Sequence, residues 1–189
     1  MKKLALALVS LLLLGALTAN AEGLVVKAGA NFTKIENIDS RPFGWQAGVG
    51  FQTEIPDGFG FTFQPELLYK VIGFEYDKET LKRGYIEIPL NVQMGFNFGN
   101  ADHLYPFVFA GPYVGVAAGT LGGNWKTNDD VKSHLKKVEY GLGIGAGVNL
   151  WILQLTAKYN WNFGPIADTK EFPDLKAPHT IELCVGFTF

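Results

Sequence analysis

The sequence predicts an all-β fold, an eight-stranded antiparallel up-and-down transmembrane β-barrel. The first observation is a long strand pattern at residues 85–98, where every second residue from Ile86 onward is apolar and the residues between are polar or small. Strands of soluble proteins usually have about 5–6 residues, whereas a tilted strand that crosses a bilayer needs roughly 9–11. The second observation is that this pattern recurs in an even number of segments. The third is that long and short connections alternate between the segments, as they do in membrane barrels.

Residues 1–21 are predicted to be a signal peptide that is cleaved on secretion. Lys2 and Lys3 give a basic start, residues 4–17 form an apolar run, and Ala19-Asn20-Ala21 has the pattern of a cleavage site. A single transmembrane helix is the alternative, but the apolar run is short for a membrane span. We therefore expect residues 22–189 to form one outer-membrane β-barrel domain.

Composition narrows the class of protein further. Cys184 is the only cysteine, so the chain cannot form an internal disulfide. The formal net charge of −2 offers no basic excess for nucleic acid, and no nucleic-acid partner is expected. Because only helices and closed barrels satisfy every backbone group in lipid, a membrane protein without further long apolar runs must be a barrel.

Four strands are predicted in the first half of the chain, at residues 24–33, 43–54, 59–71 and 85–98. In each of them apolar and often aromatic residues alternate with Gly, Gln, Asn, Thr or a charge. Pro56-Asp57-Gly58 predicts a tight turn, and the charged segment 73–83 predicts a long connection. Pro89 lies inside the fourth strand, where it removes a ladder hydrogen bond and predicts a bulge or kink.

Four more strands are predicted at residues 104–118, 138–150, 153–163 and 179–189. The strand at 104–118 is apolar on both faces, so its facing stays open. In 138–150 large apolar residues alternate mostly with glycine, and a very short turn near Trp151 follows. The segments 119–137 and 164–178 are rich in loop-forming residues and predict the other long connections.

The two faces of the strands predict which way the barrel wall is oriented. One face is bulky and almost free of charge, which suits lipid; the other is small and polar, which suits the narrow interior of eight strands. Aromatic residues near the strand ends resemble the girdles at membrane interfaces. The predicted girdle consists of Trp45, Tyr85, Trp151, Trp161, Phe163 and Phe189. The alternative is a soluble secreted barrel whose apolar face points inward around a small apolar ligand.

Charged residues on the small face are expected to point into the interior. There they must pair, meet water or be neutralised, and we expect a polar network that fills the lumen. The predicted members are Lys27, Glu54, Glu66, Lys70, Glu87, Glu139, Lys158 and Glu182. A proton path, an ion path or a gate is the alternative role for these groups.

The chain resembles the PorT-like family of outer-membrane β-barrels and, more loosely, the eight-stranded OmpX and OmpA barrels. The resemblance rests on Tyr85-Ile-Glu-Ile-Pro-Leu90, on the segments 105–112 and 139–147, and on the terminal Phe189 after alternating apolar residues. It implies an outer-membrane location and a C-terminal signal at Phe189 for the barrel-assembly machinery. The family shares a fold, which does not fix a function.

The sequence favours a non-enzymatic barrel that makes its contacts through long extracellular loops. The expected partners are outer-membrane lipid and lipopolysaccharide, the barrel-assembly machinery, and an extracellular ligand held by residues 119–137 and 164–178. A lipid-modifying enzyme is the alternative and would need a histidine beside a nucleophile. The candidates for such a site are His103, His134, His179, Ser40 and Ser133. No catalytic residue, cofactor or metal ligand is predicted.

Overall fold

A computed structural model describes residues 23–35, 41–56, 60–76, 79–96, 104–120, 137–164 and 177–189. The predicted signal peptide, His103, His134, Ser40, Ser133 and most of the two long loops lie outside these described residues. Within them, no helix is long and apolar enough to cross a membrane.

Eight antiparallel strands close into one barrel in which each strand pairs with its neighbours in sequence. The predicted fold class is therefore confirmed. The strands are β1 (Gly23–Ile35), β2 (Phe43–Glu54), β3 (Phe61–Tyr76), β4 (Glu79–Gly95), β5 (Leu104–Thr120), β6 (Val138–Leu150), β7 (Leu153–Asn162) and β8 (Pro178–Thr188). Their lengths run from 10 residues in β7 to 17 residues in β4 and β5, as a membrane-crossing strand requires.

Closure of the barrel joins the first strand to the last. Their register runs from Val25 opposite Thr188 to Ile35 opposite Pro178. At the base, the Leu24 amide donates to the Phe189 carbonyl (3.0 Å) and the Phe189 amide donates to the Leu24 carbonyl (2.9 Å). The first and last residues that the structure describes therefore lie at the same end of the barrel, together with the turn at Trp151. We call this end of the barrel the turn end and the opposite end the loop end.

The predicted long connection between the third and fourth strands is wrong. β3 continues to Tyr76 and β4 begins at Glu79, and these two residues are register partners. The hairpin of β3 and β4 extends toward the loop end beyond Trp45 and Val71, which are the last register partners of β2 and β3. Charged residues interrupt the apolar alternation here because the hairpin rises beyond the band that needs an apolar face, so periodicity gave no strand signal.

Prolines interrupt the ladder on three successive strands. Between β3 and β4, residue pairing stops at Pro65 opposite Leu90 and resumes at Leu68 opposite Glu87, so two residues of each strand are unpaired. Similar two-residue gaps accompany Pro65 between β2 and β3 and Pro112 between β4 and β5. The register is the same on both sides of Pro89, so the bulge predicted there is wrong; the register shift lies between Gly84 and Tyr85. The missing proline N–H groups account for a diagonal line of weakened pairing across β3, β4 and β5.

The two faces of the wall separate polar from apolar side chains. Buried positions along β7 and β8 are Gln154, Thr156, Lys158, Asn160 and their neighbours, whereas the exposed positions are mostly apolar. The facing of β5, which the sequence left open, places Phe107, Phe109 and Tyr113 inside. The protein core is thus a mainly polar lumen, in which the aromatic rings of β5 and the buried aliphatic side chains of Val25, Leu68 and Ile72 are the apolar part.

Candidate functional site: a filled polar lumen

Three ion pairs among the described residues occupy the middle of the lumen. Lys70 Nζ lies 2.8 Å from Glu87 Oε2 and 2.7 Å from Glu182 Oε1, so one cation bridges two carboxylates from β4 and β8. Lys27 Nζ lies 2.6 Å from Glu66 Oε1. Side chains in these pairs are at most 8% exposed. At such burial an ion pair persists only when further hydrogen bonds complete it.

Neutral polar groups complete the coordination of Glu182. Asn160 Nδ2 donates to Glu182 Oε1 (2.6 Å), and Gln46 Nε2 donates to Glu182 Oε2 (3.2 Å). The same Gln46 amide lies 3.0 Å from Cys184 Sγ. Cys184 is a free, buried thiol on the inner face, as its small size and phase predict. β2, β7 and β8 are therefore tied together around one carboxylate.

A glutamine cluster fills the lumen toward the turn end. Gln64 Oε1 accepts hydrogen bonds from Gln52 (2.8 Å) and Gln93 (2.6 Å), while Gln64 Nε2 donates to Glu66 Oε1 (2.5 Å). Gln154 from the opposite wall donates to Asn149 (3.2 Å). The charged residues alone defined the sequence prediction, so this neutral half of the network was missed. The sequence did contain a signal for this neutral half, because the glutamines lie on the same face of the strands as the charged residues.

Two charged residues lie at places that differ from the prediction. Glu54 is exposed at the last position of β2, outside the filled part of the lumen. Arg83, assigned by sequence to a connection, is 6% exposed and lies with its guanidinium 5.4 Å from the Tyr85 ring centre. Among the described residues, the buried charges are then four cations and four anions, which balance. They are Lys27, Lys70, Arg83, Lys158, Glu66, Glu87, Glu139 and Glu182.

Aromatic rings on β5 fill the remaining space because β6 presents glycine to them. A β-carbon on Gly147 would lie 2.5 Å from Phe107 Cζ, and one on Gly141 would lie 2.7 Å from Tyr113 Oη. Tyr113 contacts two ammonium groups, since Lys70 Nζ and Lys158 Nζ are each 5.6 Å from its ring centre. Cation–π contacts of this kind compensate partly for the loss of water around the lysines.

The upper lumen contains carboxylates that are less completely paired. The Glu139 side chain lies over Gly115, where a β-carbon would meet Glu139 Cγ at 2.7 Å. Gly115 is the register partner of both Glu87 and Glu139, so these two carboxylates approach each other across β5. One oxygen of each has no hydrogen-bond partner within the described residues. Across those residues no group of His, Cys, Asp and Glu forms a metal site.

The outer face of the barrel is an exposed apolar surface. Aliphatic and aromatic side chains from all eight strands or their turns lie on it, including Ile144 (49% exposed) and Leu183 (51% exposed). The predicted girdle residues Trp45, Trp151, Trp161, Phe163 and Phe189 are all exposed there. Tyr85 is not: it is 2% exposed and points inward beside Arg83, so its assignment to the girdle is wrong. It precedes the outward-facing Ile86 by one residue and must face the other way.

These faces exclude the soluble alternative. A soluble barrel that carries an apolar ligand would bury its apolar face and expose its polar face, whereas this chain does the reverse. A family model described as an outer membrane protein β-barrel domain matches residues 19–168. The chain belongs to this outer-membrane β-barrel family. The protein is located in the outer membrane.

Solved structures of other outer-membrane proteins share the fold. Neisserial surface protein A is 17% identical, with a TM-score of 0.57, 89% of this chain covered and 97% of that chain covered. The outer membrane enzyme PagL is 13% identical, with a TM-score of 0.56, 86% of this chain covered and 98% of that chain covered. No curated protein sequence matches the chain. At these identities the likeness concerns the fold alone.

Proposed function

We propose that this outer-membrane barrel is a non-enzymatic protein with a closed lumen, whose extracellular connections make its specific contacts. The closed lumen rests on one observation, the bridging of Glu87 and Glu182 by Lys70. This bridge crosses the middle of the barrel from β3 to β4 and β8. Buried side chains from β2 and β7 join it through hydrogen bonds to Glu182, which supports a lumen that leaves no path for an ion.

Conductance across a planar bilayer tests the closed lumen. We expect the full-length mature protein to insert and to give no current above background, because opening a path would break buried ion pairs. Glu87→Gln keeps the shape of the side chain and removes one carboxylate, and it should not open a path. A steady conductance in the unaltered protein that Glu87→Gln abolishes would instead support an ion path and overturn the proposal.

The extracellular connections are the proposed contact surfaces. Residues 119–137 and 164–178 join strands at the loop end, opposite the chain ends that pair through Leu24 and Phe189. We propose that a ligand outside the cell binds there, that lipid and lipopolysaccharide surround the apolar wall, and that the barrel-assembly machinery recognises Phe189. Shortening each loop separately, with heat-dependent gel mobility as the control for folding, should abolish ligand binding without unfolding the barrel. Retention of binding by both shortened proteins would contradict a loop role.

A narrower family assignment is also proposed. The motif from Tyr85 to Leu90 and the strand sequences 105–112 and 139–147 support a PorT-like member of the outer-membrane barrels. The inward-facing pair Tyr85 and Glu87 gives the motif a structural role, since both side chains are buried in the lumen. Exchange of residues 85–90 for the matching strand of a PorT-like barrel should leave the barrel folded; unfolding would argue against the assignment.

The non-enzymatic proposal is supported by the residues that face lipid. The described residues include no serine, and the one described histidine, His179, stacks on Tyr159 with ring centres 5.9 Å apart. Incubation with phospholipid and lipid A, followed by mass analysis of the lipids, should show no change. Conversion of either lipid that His179→Ala or His134→Ala abolishes would favour an enzyme.

A further inference from the structure

Two buried carboxyl groups meet in the upper lumen on either side of Gly115. This glycine on β5 is the register partner of Glu87 on β4 and of Glu139 on β6. A larger residue would not fit between them, because a β-carbon on Gly115 would lie 2.8 Å from Glu139 Oε1. The Glu139 carboxyl group therefore lies over β5 on the side of Glu87, and the two carboxyl groups come within hydrogen-bonding reach of each other.

Each of these carboxyl groups has one oxygen without a hydrogen-bond donor. Glu87 is fully buried and Glu139 is 8% exposed. Lys70 Nζ lies 2.8 Å from Glu87 Oε2, but Glu87 Oε1 and Glu139 Oε1 have no partner among the described residues. No ion pair reaches Glu139 within that part of the chain. An ionised Glu139 would therefore be a buried charge without compensation, which a folded protein avoids.

The charged and titratable groups around Glu139 come from four other strands. They are Lys70 on β3, Tyr85 and Glu87 on β4, Tyr113 on β5 and Glu182 on β8. Lys70 is the cation in this set, and its ion pairs are with Glu87 and Glu182. Arg83 and Lys158 lie against the rings of Tyr85 and Tyr113. The equal number of buried cations and anions thus does not supply a donor to the two open oxygens.

We propose that one proton is bound between Glu139 and Glu87, so that a neutral Glu139 donates a hydrogen bond to Glu87 Oε1. Two carboxylates that share a site repel each other, and one of them keeps its proton. Glu87 is the member that pairs with Lys70, so the neutral member is Glu139. The proton joins β6 to the Lys70 bridge. This site goes beyond the proposed closed lumen, which rests on the Lys70 bridge whether or not Glu139 is ionised.

Loss of this proton should loosen the lumen, because an ionised Glu139 repels Glu87 across Gly115. In the unfolded chain the proton is released at neutral pH, since a glutamate in water ionises at about pH 4.3. The folded protein then binds one proton more than the unfolded protein, so its stability should fall as the pH rises through neutrality. In Glu139→Gln an amide replaces the acid as the donor, and this part of the pH dependence should disappear.

Infrared spectroscopy of the full mature protein, folded in an ester-free detergent at neutral pH, detects the proton directly. A neutral carboxyl group has a C=O stretching band that a carboxylate lacks, and isotope labelling of glutamate separates this band from that of aspartate. We expect a band equivalent to one neutral glutamate, which Glu139→Gln abolishes. Glu182→Gln is the matched control, because it removes a carboxylate that pairs with Lys70, and it should leave the band unchanged. The exposed Glu54→Gln replaces this control if Glu182→Gln does not fold.

Urea titration over a series of pH values is the second readout. At neutral pH the urea midpoint of Glu139→Gln should match that of the unaltered protein, whereas the midpoint of Glu182→Gln should be lower because it breaks a buried ion pair. Toward alkaline pH the midpoint of the unaltered protein should fall, and that of Glu139→Gln should fall less.

Absence of a neutral-glutamate band from the unaltered protein, or its persistence in Glu139→Gln, would overturn the proton site. A urea midpoint that added Na⁺, Mg²⁺ or Ca²⁺ raises in the unaltered protein but not in Glu139→Gln would overturn it in favour of a metal cation between the two carboxylates. Neither readout measures conductance, so failure of this inference leaves the closed-lumen proposal intact, and a conducting lumen would leave the proton site intact.

Discussion

Removal of the Lys70 ammonium group should destabilise the barrel more than any other single loss of charge. Lys70→Met keeps the length of the side chain but leaves Glu87 and Glu182, each at most 2% exposed, without the cation that lies within 2.8 Å of both. Breaking a buried ion pair by removing one partner costs about 3–5 kcal/mol, because an uncompensated charge remains. We expect a loss in this range in the free energy of unfolding.

Urea titration of the folded protein in lipid vesicles, followed by tryptophan fluorescence, measures this change by linear extrapolation. Glu54→Gln is the matched control, because Glu54 is exposed at the end of β2 and its change should stay within about 0.5 kcal/mol. Adding Glu87→Gln to Lys70→Met should recover at least about 1 kcal/mol, since one of the two abandoned carboxylates is then neutral. A loss below about 1 kcal/mol for Lys70→Met alone would refute the argument that this cation holds the lumen together.

Three further predictions concern the wall and its assembly. Gly147→Ala should cost about 1–3 kcal/mol by overpacking against the Phe107 ring and the Leu155 carbonyl. Phe107→Leu in the same chain should recover only the part due to the ring; the same urea titration checks this, and no loss for Gly147→Ala would contradict the packing. Hydrogen exchange measured by mass spectrometry should be faster for the amides of Glu66 and Leu90, which point into the proline gaps, than for the amide of Ile144 in the continuous ladder; equal rates would show that the gaps do not weaken pairing. Phe189→Ala should slow assembly of the barrel in cells, which pulse labelling with heat-dependent gel mobility measures. The urea midpoint of the purified protein should stay unchanged, because the backbone hydrogen bonds with Leu24 remain. Normal assembly of this variant would contradict a signal at Phe189.

The strands and their two faces could be predicted because a period of two residues is a direct consequence of strand geometry. Six of the predicted strands lie within two residues of the observed bounds at both ends. The rising hairpin of β3 and β4 could not be predicted in this way, since its ladder is a backbone property and its side chains carry no apolar period. Proline has a similar effect: Pro89 breaks pairing without shifting register, and only the partner strands reveal this.

Errors in the lumen have identifiable physical causes. Tyr85 was assigned by its position near a strand end, although its phase relative to Ile86 already directed it inward. Glu54 has the inward phase but lies where the strand leaves the filled region, and Arg83 was hidden in a presumed loop. The facing of β5 could have been inferred from β6, because inward glycines such as Gly147 and Gly141 need bulky partners such as Phe107 and Tyr113 on the next strand.

Reactivity of the single cysteine tests the filled lumen most directly. Cys184 is 6% exposed on the inner face of β8, where its sulfur lies 3.0 Å from the Gln46 amide nitrogen. A small, water-soluble maleimide should label the folded protein at a negligible rate and label it fully in urea, whereas a Cys184→Ala variant that also carries Glu54→Cys should react when folded. Rapid labelling of Cys184 in the folded protein would mean that water and solutes enter the lumen, and it would contradict a closed barrel.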